Sequence, residues 1–403
     1  MTQAQGSADR ISAALARIAP SQTTAMTDRA TAMRSEGRDI VSLSVGEPDF
    51  ATPAHVVEAV KDALDQGATK YTPVGGTAAM KRAAALHFTR DLGIAATPAD
   101  VTVSAGGKQA IFHALLATID PGDEVLIPAP WWVSYPEIAR FAGANVVPLP
   151  TTAADGFRIS AEQLANAITP ATRWLLLNSP GNPTGAVYTA DDLRALADVL
   201  DRHARIMVMS DDIYAPLRYG DTPHAALAAL RPDLADRILT VSGVSKSHAM
   251  TGFRIGVATG PGWLIRAMER LQSHSSGNPC SISQAGAVAA FEGPQDFLSD
   301  WRAIFRARRD RVVEAINAIP GLSTPVPDGA FYCFVDAAPL IGEGCADDNA
   351  LALHMLEHGV AVVAASAFGG AHCGIQGFRV SFAADDDSLT EALTRMERAV
   401  AAL

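Results

Sequence analysis

Short apolar runs recur along the first two thirds of the chain, most of them closed by Gly, Pro, Ser or Asn. Val101–Ser104, EVLIPA from Glu124, NVVPLP from Asn145, RWLLLN from Arg173, RIMVMS from Arg205 and RILTV from Arg237 all have strand length. Being nearly continuous in apolar residues, they predict strands covered on both faces rather than half-exposed ones. Helical spacing appears over His55–Gln66, Thr77–Leu92, the stretch after Gly106-Gly107, and Pro136–Ala142. Alternation of such strands with helices predicts an α/β fold with a mostly parallel sheet flanked by helices. Ahead of it, residues 8–37 read as helical with a break at Pro20, and Ile40–Val45 as a short strand running into Gly46.

After Gly293-Pro294 the pattern changes. A charged helix over Asp300–Ile319 leads to GAFYCFVDA, a helix over Asp348–His358, VAVVAASAF, FRVSFA and a last helix from Asp387. This mixture predicts a smaller α+β unit. We expect residues 1–45 to form an N-terminal arm and part of the small domain, 46–295 a large domain, and 296–403 the small C-terminal domain.

Composition excludes some functions. The chain has 403 residues, 48% of them hydrophobic, which suits a protein with ample core. A net charge of −11 argues against general nucleic-acid binding, because nothing offsets phosphate repulsion. Small anions are not excluded, since they respond to local charge. No apolar run is long enough for a membrane span and no signal-peptide pattern opens the chain, so a cytoplasmic protein is expected. The four cysteines are scattered without paired spacing and are expected reduced. His372 and Cys373 are adjacent but lack a partner at ligand spacing, so no metal is expected.

In parallel sheets ligands gather at the carboxyl ends of strands, and the suggestive residues here follow strands. Lys246 arrives after the run from Ile238, where desolvation would favour a neutral, nucleophilic amine; a solvated loop lysine fits the same letters. Gly106-Gly107-Lys108 sits between a strand and a helix, where backbone N–H groups and the helix dipole attract an anion, although a plain tight turn looks the same. Asp211, with Tyr214 three residues on, could pair with a cationic ring nitrogen or merely cap a turn. Asn178 and Asn182 lie in NSPGNPTG, Trp132 follows Pro-Ala-Pro as a stacking platform or core residue, and Arg379 in FRVSFA must be paired or exposed. Jointly these parts fit an aldehyde cofactor with a phosphate tail and a pyridine ring. Lys246 would form the Schiff base, Asp211 would keep the ring protonated, and Arg254, Ser245 and the Gly106–Lys108 amides would hold the phosphate.

GEPDF, KYTP, GGKQA, WVSYPE, NSPGNPTGAVY, SDDIY, VSK with AMTGFRIG, DGAFY and FRVSFA follow one another along nearly the whole chain. In this order the chain resembles the class I, fold type I, pyridoxal-phosphate-dependent aminotransferases, in particular the bacterial branch acting on aspartate and prephenate. The resemblance implies a cofactor of pyridoxal 5′-phosphate, a Schiff base on Lys246, and ping-pong transfer between L-aspartate or L-glutamate and 2-oxo acids such as 2-oxoglutarate. It implies that Lys246 also shuttles the proton, that Asp211 pairs with the ring nitrogen, and that Tyr214 and Asn182 contact the ring oxygen. Trp132 would stack on the ring, while Arg254, Ser245, Gly106, Gly107 and Lys108 hold the phosphate. Tyr71 would reach the phosphate of a neighbouring subunit, which implies a homodimer with shared sites. Arg379, Gly46 and Asn182 would take the substrate α-carboxylate, with Lys108 at a distal carboxylate and Thr23 matching a position associated with prephenate. Phe253, Ala19 and SSGNPCSISQ depart from residues common in that branch. Alternatives are a prephenate or aromatic aminotransferase, or a β-lyase or decarboxylase on the same fold. A transcriptional regulator on this fold needs an attached DNA-binding domain, for which the stretch before Gly46 is too short.

Overall fold

Seven strands form the central sheet, in the order β2-β8-β7-β6-β5-β3-β4. In the computed structural model, which describes residues 11–221, 223–342 and 344–403, they are β2 (Val101–Ser104), β3 (Glu124–Ala129), β4 (Asn145–Pro150), β5 (Thr172–Asn178), β6 (Met207–Asp211), β7 (Ile238–Gly243) and β8 (Gly256–Thr259). Neighbouring strands run parallel except at β8, which is antiparallel to both β2 and β7. The six apolar runs take their predicted places as β2 to β7, with β2, β6 and β7 buried along their whole length; β8, equally buried, was not anticipated. At roughly 1.5–3 kcal/mol for each large apolar side chain removed from water, this double-faced burial favours the sheet over any half-exposed arrangement.

Helices cover both faces: α2 (Ala54–Asp65), α3 (Ala78–Leu92), α4 (Gly107–Thr118), α5 (Ser134–Ala142), α6 (Ala161–Ala167), α7 (Ala190–Leu200), α8 (Leu227–Leu230), α9 (Gly262–Ser273) and α10 (Ser281–Glu292), with α1 (Gln22–Ser35) ahead of them. Sequence reading did not delimit α6, α7, α9 or α10. The start of α7 was legible: Thr189 and Asp192 form a capping box, each side chain bonding the other's backbone N–H. One set of apolar side chains gathers on α3, α7 and α10 and a second on α4, α5 and α9, with the sheet contributing to both.

The C-terminal third builds a three-stranded sheet, β11-β12-β9, from β9 (Tyr332–Asp336), β11 (Val363–Ala364) and β12 (Gly377–Ser381). It packs with α11 (Phe297–Ala318), α12 (Asp348–Glu357) and α13 (Asp386–Ala401). The same core takes in Leu43, Tyr214, Leu217 and Tyr219, so the two sheets are bridged by residues that follow β6. No helix among the described residues is long and apolar enough to cross a membrane.

Two expectations near the N-terminus change. The helical reading of 8–37 resolves into a single 3-10 turn at Leu15–Arg17 and α1, its first residues lying outside the described ones. The strand expected over Ile40–Val45 pairs only as β1 (Val41–Ser42) with β10 (Val360–Ala361). Beyond Ser42 the backbone is drawn into the site: the carbonyl of Ser44 accepts from Arg379 and that of Gly46 from Lys246, each at 2.5 Å.

Candidate active site

A cavity of about 260 Å³ opens where β5, β6 and β7 end. Its walls bring together Gly46, Gly107, Lys108, Trp132, Asn182, Asp211, Tyr214, Ser245, Lys246, Arg254, Arg379 and Thr23. Of the remaining predicted residues, Gly106 lies just behind this wall under Arg254, and Tyr71 stands outside its own chain's cavity, 99% exposed. Asn178 also lines the cavity, donating to the Asp211 carbonyl at 2.8 Å and accepting from the Asn182 backbone at 2.8 Å. It ties the NSPGNPTG loop to the end of β6.

Asp211 closes β6 with a buried carboxylate. Its Oδ2 accepts from the Tyr135 hydroxyl at 2.7 Å and its Oδ1 from the Ile213 N–H at 3.2 Å. Burial pushes this carboxyl up to about 6 against those two bonds, and neighbouring Asp212 adds to the rise. Tyr214, also buried, shares a 2.8 Å hydrogen bond with the hydroxyl of Tyr332 from β9. Tyr135 and Tyr332 were missed as site residues, although WVSYPE and DGAFY were both recognised. A tyrosine in an apolar stretch gives no sign of where its hydroxyl ends up.

Lys246 follows β7, and its Nζ donates to the Gly46 carbonyl. Burial pulls its pKa down to about 8, partly offset by Glu47 and reinforced by Arg254 and Arg379. Only the neutral amine attacks an aldehyde. Capture of free pyridoxal 5′-phosphate by the cofactor-free protein should therefore rise about tenfold per pH unit and level off above about 8. An ordinary lysine would keep accelerating to about 10.4. Stopped-flow absorbance across pH 6.5–10 checks this; a rate still climbing past about 9.5 contradicts it.

Arg379 is fully enclosed on β12, between the rings of Tyr332 at 4.5 Å and Phe368 at 4.8 Å. Nη1 donates to Asn182 Oδ1 at 3.0 Å and Nη2 to the Ser44 carbonyl, while Nε has no partner among the described residues. A buried cation with a free donor is costly unless an anion completes it. Gly46 is required here by close approach: a Cβ would lie 2.0 Å from the Tyr332 hydroxyl oxygen.

Arg254 sits at φ +55, a left-handed conformation uncommon for a side-chain-bearing residue. Its guanidinium lies on the Gly106 turn, where a Cβ on Gly106 would stand 2.3 Å from Nη2. The first turn of α4, with its unsatisfied N–H groups, borders the same space. Lys108 Nζ sits over the Trp132 ring at 4.9 Å, and burial followed by Arg254 lowers its pKa.

A mostly parallel α/β sheet that presents a depressed lysine, a buried carboxylate and unpaired cations at its strand ends defines a fold type I transferase built for an anionic aldehyde cofactor. The chain matches the model for aminotransferase class I and II over residues 38–396, and it belongs to that family. It is 48% identical over 400 residues to the aspartate/prephenate aminotransferase of Cereibacter sphaeroides, covering 98% of this chain and 99% of that one. It is 46% identical over 378 residues to the aspartate aminotransferase of Rhizobium meliloti, covering 92% and 91%. Among solved structures it superposes on an aspartate aminotransferase of Rhizobium meliloti with TM-score 0.92, at 44% identity over 97% and 98% of the two chains. With that of Thermus thermophilus bound to maleate the TM-score is 0.90, at 40% identity over 96% and 99%.

The chain is an aminotransferase that uses pyridoxal 5′-phosphate. Its residues fit that group. Arg254 and the α4 turn have the donors for a phosphate, Asp211 has a buried carboxylate for a cationic ring, and Lys246 has a readily deprotonated amine.

Proposed function

We propose that this aminotransferase moves the amino group of L-aspartate or L-glutamate to and from 2-oxo acids. One observation carries the reading. Besides Lys246, whose amine is kept for the cofactor, the ion pairs of the described residues leave out Lys108, Arg254 and Arg379, three cations that share one cavity. Three uncompensated cations suit three anionic groups: a phosphate, an α-carboxylate and a second carboxylate at the far end of the substrate.

Pyridoxal 5′-phosphate, when bound, supplies an aldehyde that accepts the amino group and a ring that stabilises a carbanion. Lys246 Nζ would hold it and would take up and return the proton at the substrate Cα. The Asp211 carboxylate, which accepts from Tyr135, would pair with the ring nitrogen, and Tyr214 and Asn182 would hold the ring oxygen. Trp132 would lie against the ring, and Arg254, Ser245 and the Gly106–Lys108 turn would hold the phosphate. Arg379, Asn182 and the Gly46 backbone orient the α-carboxylate; Lys108 and Thr23 face the distal group.

The proposed assembly is a cytoplasmic homodimer in which Tyr71 of each subunit completes the other's phosphate site. The full exposure of Tyr71 supports it, as do the side-chain amides of Gln284 and Gln272, which pin its loop through Thr72 Oγ1 at 3.1 Å and the Val74 carbonyl at 2.8 Å. We divide the chain into an arm and part of the small domain (1–45), a large domain (46–295) and a small domain (296–403).

Amino donors assayed with 2-oxoglutarate and with prephenate test the substrate assignment. Pyruvate and ammonia from the donor, with no amino transfer, would sink it. Lys108→Ala should cut kcat/KM for aspartate by about 10- to 150-fold, the worth of a hydrogen bond to a charged group, and barely change that for alanine. Equal losses for both donors would refute the distal role of Lys108.

A further inference from the structure

We propose that Glu137, on α5, is a positioning residue for the distal end of the substrate, acting by latching the N-terminal arm against the cavity. The inference rests on the dicarboxylate reading above. Glu137 Oε2 accepts the backbone N–H of Ala19 at 2.7 Å, and its Oε1 accepts from Arg140 Nη1 at 2.6 Å. One carboxylate thus joins the arm to α5, with Arg140 holding it in place. The bond uses the Ala19 backbone, so the departure from lysine at this position does not affect it.

What lies on either side of the latch gives it meaning. Two residues after Ala19, Ser21 caps α1, accepting from the Thr24 N–H at 3.3 Å. Ser21, Thr23 and Thr24 then form part of the cavity wall, and the Thr23 hydroxyl is buried without a partner. Two residues before Glu137, Tyr135 is bonded to Asp211. Glu137 therefore references the arm's polar wall to the element that touches the catalytic carboxylate.

Ahead of Ser21 little else fixes the arm, whereas α1 beyond it is anchored by buried Ala30 and Met33. The 3-10 turn at Leu15–Arg17 has no buried residue, and Ile11 and Leu15 are 48% and 46% exposed. Among the described residues, the other polar tie is long, from Arg17 Nη1 to the Arg140 carbonyl at 3.5 Å. At 2.7 Å, the bond to the Glu137 carboxylate is the shorter of the two polar ties.

The test uses the loaded, full-length enzyme. In Glu137→Ala, KM for aspartate should rise about 10- to 100-fold with kcat within about twofold, while KM for alanine, which has no distal group, stays within about twofold. Glu137→Gln keeps an amide oxygen for the Ala19 N–H and should recover most of the loss. Trypsin cleavage after Arg17, followed by mass spectrometry, should be several-fold faster in Glu137→Ala than in the wild type, with Glu137→Gln between them. KM values that shift together for both donors, or a fallen kcat with an altered cofactor absorption band, would overturn the proposal by showing that Glu137 acts through Tyr135 or through folding. Unchanged KM and unchanged cleavage would overturn it equally. Failure of the wild type to use any dicarboxylic donor would refute the substrate reading instead, and cleavage would then decide the latch alone.

Discussion

Replacing Lys246 with alanine is expected to abolish amino transfer, with turnover down by about 10⁴-fold or more, because in the mechanism we propose one side chain both attaches the cofactor and moves the proton. No neighbour can substitute. The other cations of the cavity are Lys108, whose Nζ rests on Trp132, and two arginines, which hold their protons at any working pH. The phosphate and ring contacts survive the substitution, so the variant should still bind pyridoxal 5′-phosphate, though more weakly. Borohydride should then fail to fix the cofactor covalently to the protein, and the visible band that shifts with pH in the wild type should be absent. A variant whose spectrum and borohydride labelling match the wild type would remove Lys246 from this role.

Asp211→Asn is expected to lower kcat by about 30- to 5,000-fold, corresponding to about 2–5 kcal/mol for one partner of a buried charge pair. An amide cannot balance a protonated ring nitrogen, so the ring loses its proton and with it most of its capacity as an electron sink. Tyr135→Phe should give a milder loss of about tenfold. It removes one hydrogen bond to the carboxylate, which raises the Asp211 pKa further without removing the charge.

The same substitution should have the opposite effect on the stability of the cofactor-free protein. Asp211 titrates near 6 when folded and near 3.9 when unfolded, so the folded state binds the proton more tightly. Its contribution to stability is fully present below about pH 4 and is lost as pH rises through about 6. At pH 7.5 the native chain holds a buried carboxylate that asparagine would not impose. Cofactor-free Asp211→Asn should therefore melt higher than the cofactor-free wild type at pH 7.5, and no higher at pH 4. Calorimetry at both pH values checks the sign. A variant that melts lower at pH 7.5 and turns over within threefold of wild type would show that Asp211 carries no charge used in the reaction.

Much of the site was legible because its residues sit next to local signals. Asp211, Asn178 and Lys246 each end or closely follow an apolar run, and a parallel sheet places such ends side by side. Gly106-Gly107-Lys108 was legible as a strand-to-helix turn for the same reason. Tyr135, Tyr332 and the Ser44 carbonyl were not. Each is joined to its partner by a contact far along the chain: Tyr135 to Asp211, Tyr332 to Tyr214, and Ser44 to Arg379. Glu137 had even less to mark it, being one acid in a helical turn until its bond to the Ala19 backbone is seen.

The sequence by itself determined the parallel strands β2 to β7, the helices α2 to α5, and the residue types offered at the strand ends. These follow from periodicity and from turn chemistry, which are local. Only the tertiary structure decided which cations stay unpaired, how far the Lys246 amine and the Asp211 carboxyl shift, and why β1 stops at Ser42. Those outcomes depend on desolvation and on long-range partners, such as Arg379 on β12 meeting Asn182 in the loop after β5.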